Sequence, residues 1–510
     1  RLRHRGPDDT ELVQPNGTVT LAFHRLAIMD PTHAGDQPFH SPDRSVWLMC
    51  NGEVYNYPAL HARYADTYPF ASHSDCEVIL PLYREFGIAE TARRLDAEFA
   101  LIIWDGQAGK LFAARDPIGI RPLFYGHSRL NGGIMFASEA KVLTDMCLDV
   151  QPFPPGHYYD GDGNFIAYRE ISKTPAVNND PPEKILQEIR ERLIEAVRKR
   201  LVADVPVGYL LSGGLDSSLV CGIAAHVLKK PLTTFAVGLN INPIDLPYAR
   251  KVADHIGSSH HEVLFDENDT LGCVHDVIRH AETWDITTIR ASIGMYLVCR
   301  YVHERTPFKV LLTGEVSDEI FGYKYTDFAP DAEAFQRESV KRIDELYLYD
   351  VLRADRCIAA HSIEARVPFA DLDFVSYCMA IPPSLKMNTH GMGKYLLRKA
   401  FDGMDIVPDE ILWREKAAFS DAVGHSMVDY LKAKAESLYS DADLRGAGLK
   451  YPYATPFTKE SLWYRDIFES FYPGRAGLIK DFWMPNRSWK GCDVDDPSAR
   501  VLANYGNSGF

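Results

Sequence analysis

A cluster of glycine, hydroxyl and carboxyl side chains occupies residues 212–218, with the sequence Ser-Gly-Gly-Leu-Asp-Ser-Ser. The apolar residues before it, 205–211, predict a buried strand, and those after it, 219–225, predict a helix that packs on one side. Glycines let the chain turn sharply, and a helix N-terminus presents free N–H groups and the positive end of its dipole. Strand, loop and helix together predict a phosphate-binding site. Because the segment lacks the lysine of a Walker loop, we expect a phosphate site of another kind.

The sequence that follows alternates between predicted strands and helices. Apolar segments at 233–239, 260–264 and 309–312 predict strands, and residues 248–256 predict a crossover helix. This alternation predicts a doubly wound parallel sheet with added helices, whose ligands bind at the carboxyl ends of the strands. His260 and His261 are adjacent in one predicted strand. Because successive strand residues face opposite ways, we favour structural roles for them over a shared metal ion.

The first part of the chain has a different pattern. It predicts strands at 21–29, 46–56, 99–105, 110–114 and 135–137 and helices near 57–65 and 76–86. Strands dominate and long crossovers are few, which predicts stacked antiparallel sheets with helices outside. We therefore expect an α+β domain followed by an α/β domain. The predicted boundaries are a first domain at 1–175, a linker at 176–184 that leads into an amphipathic helix, a second domain at 185–480 and a C-terminal tail at 481–510.

Composition argues against several functional classes. The chain has 510 residues and a formal net charge of −15, which argues against nucleic acid because phosphate neutralisation needs clustered Lys and Arg. Its nine cysteines form no C-x-x-C pair, so neither a zinc site nor a disulfide framework is indicated. No apolar segment is as long as a membrane span. These features predict a cytoplasmic protein with small-molecule substrates and with no nucleic-acid or membrane partner.

Short motifs follow one another in the first part of the chain: Arg-His-Arg-Gly-Pro-Asp at 3–8, His-Arg-Leu at 24–26, Asn-Gly-Glu-Val-Tyr-Asn at 51–56, Ser-Asp-Cys-Glu-Val-Ile at 74–79 and Ala-Arg-Asp-Pro-Ile-Gly at 114–119. In this order they resemble the class II glutamine amidotransferase domain, an αββα fold of the N-terminal-nucleophile type. The resemblance implies that Arg25 binds the α-carboxylate of glutamine and that Asp75 binds its α-ammonium. Asn51 and the Gly52 N–H would stabilise the oxyanion. The implied glutamine-binding residues are Arg25, Leu26, Ala27, Ile28, Met29, Asn51, Gly52, Glu53 and Asp75.

The nucleophile of that family is an N-terminal cysteine whose own α-amine acts as the base. This sequence begins with Arg1, close to the first motif, and none of its cysteines lies at a terminus. We therefore expect that the sequence is truncated before the nucleophile and that, as given, it does not hydrolyse glutamine. His73 stands where relatives often have glycine, a difference that we expect to be tolerated.

The segment 212–218 resembles the loop of PP-loop ATP pyrophosphatases, which cleave ATP between its α- and β-phosphates. The resemblance narrows to the glutamine-hydrolysing asparagine synthetase family through the segments 235–239, 285–292, 314–319, 364–369 and 413–416. It implies synthesis of L-asparagine from L-aspartate, L-glutamine and ATP through a β-aspartyl-AMP intermediate, with release of AMP and pyrophosphate. The resemblance is also compatible with a homodimer.

The same resemblance implies roles for single residues. Asp216 and Asp318 would hold Mg²⁺, a hard ion that prefers oxygen ligands. Glu315 and Lys416 are the implied catalytic residues, the first accepting an ammonia proton and the second neutralising charge on the α-phosphate. The implied aspartate-binding residues are Thr287, Thr288 and Arg290, and the implied ATP-binding residues are Leu211, Ser212, Gly213, Gly214, Asp216, Ser217, Val237, Thr313 and Gly314.

Two departures from the family pattern lie beside this site. Val316 stands where relatives have glycine, which would be strained if the position needs a positive φ, and the loop at 321–325 is one residue shorter. Three alternatives stay open: an ammonia-dependent synthetase, a β-lactam-forming relative, and a non-catalytic relative that binds amino acid or nucleotide as a regulator. The Thr-Thr-Ile-Arg-Ala-Ser sequence at 287–292 favours aspartate over a bulky substrate that carries an amidine.

Overall fold

The computed structural model describes residues 1–173, 176–241, 243–415 and 425–505. Contacts divide the chain into two units. Unit 1 comprises Arg1–Ile171, Val202–Pro206 and Ala359–Glu364, and unit 2 comprises Ser172–Leu201, Val207–Ile358 and Ala365–Phe510. Most of unit 1 comes from the first third of the chain, and most of unit 2 comes from the remainder.

Strands predominate in unit 1. They are β1 (Asp9–Val13), β2 (Leu21–Arg25), β3 (Phe39–His40), β4 (Val46–Val54), β5 (Ala97–Asp105), β6 (Lys110–Arg115), β7 (Phe124–His127), β8 (Ile134–Ala137), β9 (Gln151–Pro152), β10 (His157–Tyr159) and β11 (Phe165–Ala167). The helices are α1 (Tyr57–Tyr64), α2 (Ile79–Arg94) and α3 (Ala140–Leu143), and 3-10 turns cover Arg3–Arg5, His33–Gly35 and Asp75–Val78.

The sheets of unit 1 are antiparallel and stacked. The larger has the order β11-β10-β6-β5-β4-β3, the smaller has the order β8-β7-β9, and β1 and β2 form a separate hairpin. Phe153 and Tyr159 are buried in a cluster with side chains from both the six-stranded and the three-stranded sheet. Helices α1 and α2 add their apolar side chains to the cluster on the other face of the six-stranded sheet, and α3 packs on β7 and β8. The predicted arrangement of stacked antiparallel sheets is confirmed.

Two strands of unit 1 end earlier than their apolar residues predict. The strand predicted at 21–29 ends at Arg25, and the strand predicted at 46–56 ends at Val54. The first ends early because the Arg25 guanidinium donates to backbone carbonyls of the following loop, Thr32 among them at 2.7 Å, and so holds that loop around itself.

Unit 2 contains the remaining strands, β12 (Val207–Leu210), β13 (Thr233–Leu239), β14 (Ser259–Phe265), β15 (Val310–Leu312) and β16 (Glu364–Arg366). The first helices of this part of the chain are α4 (Pro182–Lys199), α5 (Leu215–Leu228), α6 (Leu246–His255), α7 (Glu267–Gly272), α8 (Val274–Ala281), α9 (Ile286–Arg305), α10 (Ser317–Phe321), α11 (Ala332–Glu345) and α12 (Asp350–Ala359). The later helices are α13 (Leu372–Ala380), α14 (Pro383–Lys386), α15 (Tyr395–Phe401), α16 (Asp409–Leu412), α17 (His425–Leu438), α18 (Asp441–Lys450) and α19 (Lys459–Phe471), with 3-10 turns at Lys324–Phe328, Leu346–Leu348, Pro368–Ala370, Ala476–Leu478 and Ala499–Val501.

The central sheet of unit 2 has the strand order β14-β13-β12-β15-β16. Strand β12 is parallel to β13 on one side and to β15 on the other, and β13 is parallel to β14. The strand order therefore reverses between β12 and β15, which makes their carboxyl ends the topological switch point where a ligand is expected. The prediction of a doubly wound parallel sheet is confirmed.

Boundaries of the units differ from the predicted domain limits. Unit 2 begins at Ser172, and α4 begins at Pro182, inside the predicted linker 176–184. The segment after residue 480 is not a separate tail, because its side chains Trp489 and Cys492 are buried in a cluster with Tyr325. Aromatic residues thus anchor this segment on the rest of unit 2.

Two further observations bear on the environment of the protein. All nine cysteines are buried free thiols. Among the helices of the described ranges, none combines the length and apolar character that crossing a bilayer requires.

Candidate functional site

The glycine-rich loop follows β12 and leads into α5. Gly213 has φ 76°, and a Cβ there would lie 2.4 Å from the Ala249 nitrogen and 2.7 Å from the Tyr248 carbonyl carbon. Only glycine fits between this loop and the first turn of α6. The Gly213 carbonyl accepts a hydrogen bond from Arg414 at 3.1 Å, and Arg414 also donates to Asp245 at 2.8 Å.

Hydroxyl and amide groups converge inside this loop. The Ser212 and Ser217 hydroxyls are 2.9 Å apart, the Ser212 N–H donates to Ser217 Oγ at 3.1 Å, and the Gly214 N–H donates to Ser212 Oγ at 3.3 Å. Gly214 is the residue before α5, so these groups lie at the N-terminus of a 14-residue helix. The arrangement can donate several hydrogen bonds to a phosphate.

The loop after β15 packs directly against the glycine-rich loop. A Cβ on Gly314 would lie 2.8 Å from the Ser217 nitrogen and 3.0 Å from the Asp216 carbonyl carbon, so the close approach of the two backbones depends on this glycine. Val316 follows with φ 81° and is 2% exposed. The positive φ that would make a valine costly here is therefore present, and the β-branched side chain is strained.

Asp216 and Asp318, the predicted metal ligands, lie side by side at the switch point. Lys394 Nζ is 2.7 Å from Asp216 Oδ1 and 2.5 Å from Asp318 Oδ1. The Ser317 hydroxyl donates to Asp216 Oδ1 at 2.8 Å. Carboxylate and hydroxyl oxygens are the donors that Mg²⁺ prefers, so these residues fit a magnesium ion.

Glu315 is paired with a cation that the sequence analysis did not identify. Arg353 donates to Glu315 Oε2 at 2.6 Å and to Asp350 Oδ1 at 3.0 Å. Burial raises the pKa of the Glu315 carboxyl, and the Arg353 charge opposes this rise. Burial together with the charges of Asp350 and Asp318 also raises the pKa of Glu319 well above its usual value. Four carboxyl groups therefore lie close together here.

These groups face one cavity of about 220 Å³. Arg398 and Arg414 also line it, and burial lowers the pKa of Arg398 to about 10. Arginines and carboxylates both line the cavity, which suits a ligand with both phosphate and ammonium groups. The predicted site residues that line the cavity are Leu211, Ser212, Gly214, Asp216, Ser217, Val237, Thr287, Arg290, Thr313, Gly314, Glu315 and Asp318.

The predicted aspartate-binding residues differ in what they offer to a ligand. Thr287 lines the cavity, and its buried hydroxyl has no hydrogen-bond partner among the described residues. Thr288 is not among the described residues that line the cavity, and its hydroxyl donates to Asp285 at 2.7 Å. The Arg290 guanidinium lines the cavity but is bound to Glu460 at 2.5 Å and Asp496 at 2.9 Å.

The segment after residue 480, to which the sequence analysis assigned no role, forms part of the cavity wall. Trp483, Pro497, Ser498 and Ala499 line the cavity. The Trp483 N–H donates to Asp285 at 2.7 Å, which fixes this segment to the start of α9. Lys416, a predicted catalytic residue, lies outside the described residues.

The predicted oxyanion donors of unit 1 lie in the middle of β4. A Cβ on Gly52 would lie 2.0 Å from the Glu98 carbonyl oxygen, so the pairing of β4 with β5 requires glycine there. Asn51 Nδ2 is buried and has no hydrogen-bond partner among the described residues. A buried amide donor of this kind is suited to an acceptor supplied by a ligand.

Acidic side chains lie beside these donors. Glu53 and Asp75 are 6% and 3% exposed, and Asp75 accepts a hydrogen bond from the Val54 N–H at 2.6 Å. Burial and the charges of Asp75, Asp204 and Glu53 raise the pKa of Tyr57. The negative field here suits an ammonium group.

Arg25, predicted to bind a carboxylate, is engaged within its own loop. Its guanidinium donates to the carbonyls of Met29, Asp30 and Thr32 and to Asp36 Oδ1 at 2.5 Å. The side chain therefore holds the loop that begins with the predicted residues Leu26, Ala27, Ile28 and Met29. Of these, Ala27, Ile28 and Met29 are buried.

Comparison with known sequences identifies relatives over both units. Residues 1–158 match the family described as a glutamine amidotransferase domain, and residues 188–333 and 327–495 match the family described as asparagine synthase.

Several relatives match almost the whole chain. It is 42% identical to the glutamine-hydrolyzing asparagine synthetase of Cricetulus griseus, over 99% of this chain and 95% of that protein. The proteins of the same name from Gallus gallus and Homo sapiens are 42% and 40% identical, again over 99% of this chain and 95% of each relative.

Proposed function

This chain belongs to the glutamine-hydrolysing asparagine synthetase family, and we propose that the cavity of unit 2 binds ATP and aspartate. The chain catalyses ATP-dependent synthesis of asparagine, with ATP, aspartate and glutamine as small-molecule substrates. One observation carries the proposed site: Asp216, Glu315 and Asp318 line a single cavity at the switch point of the parallel sheet.

The first reaction in this cavity is adenylation. The β-carboxylate of aspartate attacks the α-phosphorus of ATP, the bond from that phosphorus to the bridging oxygen breaks, and pyrophosphate leaves. The glycine-rich loop of Ser212, Gly213, Gly214 and Ser217 binds the departing phosphates through its N–H and hydroxyl groups. Leu211, Val237 and Gly314 contact the adenosine part.

Asp216 and Asp318 hold Mg²⁺ in this proposal, supported by their convergence on one cation, Lys394. Bound Mg²⁺ neutralises part of the phosphate charge. Arg398 and Arg414 line the same cavity and add positive charge there. Lys416 is assigned to the α-phosphate from the sequence resemblance alone.

Aspartate lies at the end of the cavity where Thr287 and Glu315 face it. The Thr287 hydroxyl is available as a hydrogen-bonding group, and the carboxylates of Asp350 and Glu319 attract the α-ammonium. In the second reaction ammonia attacks the acyl carbon, AMP leaves, and Glu315 accepts the proton that nitrogen loses. A carboxyl whose pKa is raised by burial is a better proton acceptor.

Unit 1 binds glutamine and, in a chain that carries the N-terminal cysteine of the family, supplies the ammonia. Asp75 and Glu53 attract the α-ammonium, and Asn51 Nδ2 with the Gly52 N–H stabilises the oxyanion. Arg25 binds the α-carboxylate only if it releases part of its present loop, because its Nη atoms already donate to four oxygens. Free buried thiols support a reducing, cytoplasmic location, and the homodimer stays a prediction.

An assay of products tests the proposal. Aspartate, Mg-ATP and ammonium should give asparagine, AMP and pyrophosphate in equal amounts. Formation of ADP, or turnover that does not depend on aspartate, would contradict it. Glu315→Gln should abolish turnover, whereas Glu333→Gln, at a side chain 88% exposed, is the matched control. The assay repeated with glutamine, on this chain and on one extended by a segment that begins with cysteine, tests unit 1.

A further inference from the structure

The Lys394 ammonium contacts three oxygen atoms, two of which belong to carboxylates that line the unit 2 cavity. Its Nζ is 2.7 Å from Asp216 Oδ1, 2.5 Å from Asp318 Oδ1 and 2.9 Å from Ser317 Oγ. The side chain is 1% exposed. Carboxylates from the first turns of α5 and α10 therefore share one buried cation, which comes from a distant part of the chain.

We propose that Lys394 is a placeholder cation for the divalent metal ion that Asp216 and Asp318 bind, an inference that rests on the metal role proposed above. Before the metal arrives, the ammonium neutralises the two carboxylates. When the metal binds, it takes the same carboxylate oxygens, and the ammonium leaves them. The reason is electrostatic: a divalent ion and an ammonium a few ångströms apart repel each other strongly in a buried site.

The choice of lysine fits this role. Two carboxylates held together without a cation would repel each other, and Asp216 is only 7% exposed to water. An ammonium is a compact charge with three donors, which matches the three oxygens here one for one. A guanidinium would instead form a planar, bidentate pair of hydrogen bonds with one carboxylate.

A second cavity gives the Lys394 side chain space into which it can move. Lys394 has φ 57° and follows Gly393, and both residues line this cavity of about 510 Å³. Tyr323 and Arg414 line this second cavity as well as the first. The released ammonium turns into this second cavity, which Lys394 already lines.

Binding of Mn²⁺ alone, followed by electron paramagnetic resonance without nucleotide, tests the proposal. Lys394→Gln should bind Mn²⁺ at least tenfold more tightly than the wild type, because no ammonium competes for the carboxylates. Lys394→Arg, which keeps a positive charge beside the carboxylates, should bind Mn²⁺ less tightly than Lys394→Gln. The matched control is Lys399→Gln in α15, the helix that begins directly after Lys394; the Lys399 side chain is 44% exposed and pairs with Asp402.

Thermal unfolding gives a second readout. Lys394→Gln without metal should unfold at a lower temperature than the wild type, and Mn²⁺ should raise its unfolding temperature by more. Equal or weaker Mn²⁺ affinity in Lys394→Gln would overturn the placeholder role alone, provided that Asp216→Asn abolishes Mn²⁺ binding. Mn²⁺ binding that survives in Asp216→Asn would instead remove the metal assignment, and the placeholder role with it.

Discussion

Arg353 donates a 2.6 Å hydrogen bond to Glu315, and the two side chains come from a loop and a helix of unit 2 that are separate in sequence. Glu315 follows β15, whereas Arg353 lies in the first turn of α12. The ion pair therefore orients the carboxylate that is proposed to accept the ammonia proton. It also ties the position of α12 to the chemistry at the end of β15.

Glu315→Gln should leave the fold intact and lower aspartate-dependent AMP formation by about 100-fold or more, because general base catalysis of this kind contributes roughly 10²–10⁴-fold. Arg353→Met should in addition destabilise unit 2 by about 3–5 kcal/mol, since it leaves buried carboxylates without a cation. Product assays and thermal unfolding measure the two effects. Arg337→Met, at a side chain 69% exposed, is the control. Near-normal turnover in Glu315→Gln would exclude the proposed role.

Val316→Gly should be more stable than Val316→Ala, although it removes more of the side chain. Val316 has φ 81° and is 2% exposed. Glycine relieves a left-handed strain of roughly 1–2 kcal/mol, which offsets part of the lost burial. Alanine loses burial and keeps the strain. Denaturant midpoints of the three proteins give the order, and an alanine variant that outranks the glycine variant would contradict the strain argument.

Arg290 should prove to be mainly a structural residue. Arg290→Lys removes hydrogen bonds that the guanidinium donates to both Glu460 and Asp496, and lysine cannot reproduce them. We expect a clear fall in unfolding temperature, which corresponds to a loss of about 3 kcal/mol in the free energy of unfolding. Asp496→Asn should cause a smaller fall and leave the KM for aspartate within about threefold. A rise in the KM for aspartate without loss of stability would restore the direct binding role that the sequence predicts.

Acid should destabilise unit 2 through His260. Burial lowers the pKa of this imidazole to about 4, and its Nδ1 is 2.8 Å from Thr234 Oγ1. Between about pH 6.5 and 4 the unfolded chain binds a proton that the folded chain does not, so stability is present above this window and is lost as the pH falls through it. Between pH 7 and pH 4 the free energy of unfolding should therefore fall by about 3 kcal/mol less in His260→Gln than in the wild type. Parallel denaturation curves at both pH values measure this difference, and equal losses would refute it.

Asp75→Asn should weaken glutamine binding by about tenfold or more, because it removes a buried negative charge beside the proposed ammonium position. Calorimetry with glutamine measures the loss. Glutaramate, which lacks the α-amino group, should bind both proteins alike. Asp66→Asn, at an exposed position, serves as the control variant. An equal loss for both ligands would show that Asp75 supports the fold of β4 and does not contact the ammonium.

The parts of the molecule that could be predicted are those in which neighbouring residues determine the structure. Strand β13 has the predicted limits, Thr233–Leu239, because its apolar residues are continuous and end at polar ones. The strand at 21–29 was predicted too long, because the Arg25 side chain reshapes the residues after it through contacts that apolar periodicity does not reveal.

Residues brought to the site from distant parts of the chain could not be predicted in the same way. Lys394 meets Asp216 across 178 positions, and no local pattern marks it. Arg353 lies in a helix with no motif of its own. Arg414 stands in the recognised segment 413–416, which was the available signal for it. The pairing of Arg290 with Glu460 needs packing between α9 and α19, which the sequence does not display.

The wall formed by Trp483, Ser498 and Ala499 also sets an order of events during synthesis. The ribosome adds these residues and Pro497 after every other described lining residue of the cavity. Arg290 meets its partner Asp496 only after 206 further residues have been joined. The proposed nucleotide site is therefore complete only when Ala499 has been added, and a nascent chain that stops before Asp496 has the glycine-rich loop but lacks Pro497, Ser498 and Ala499 of the cavity wall.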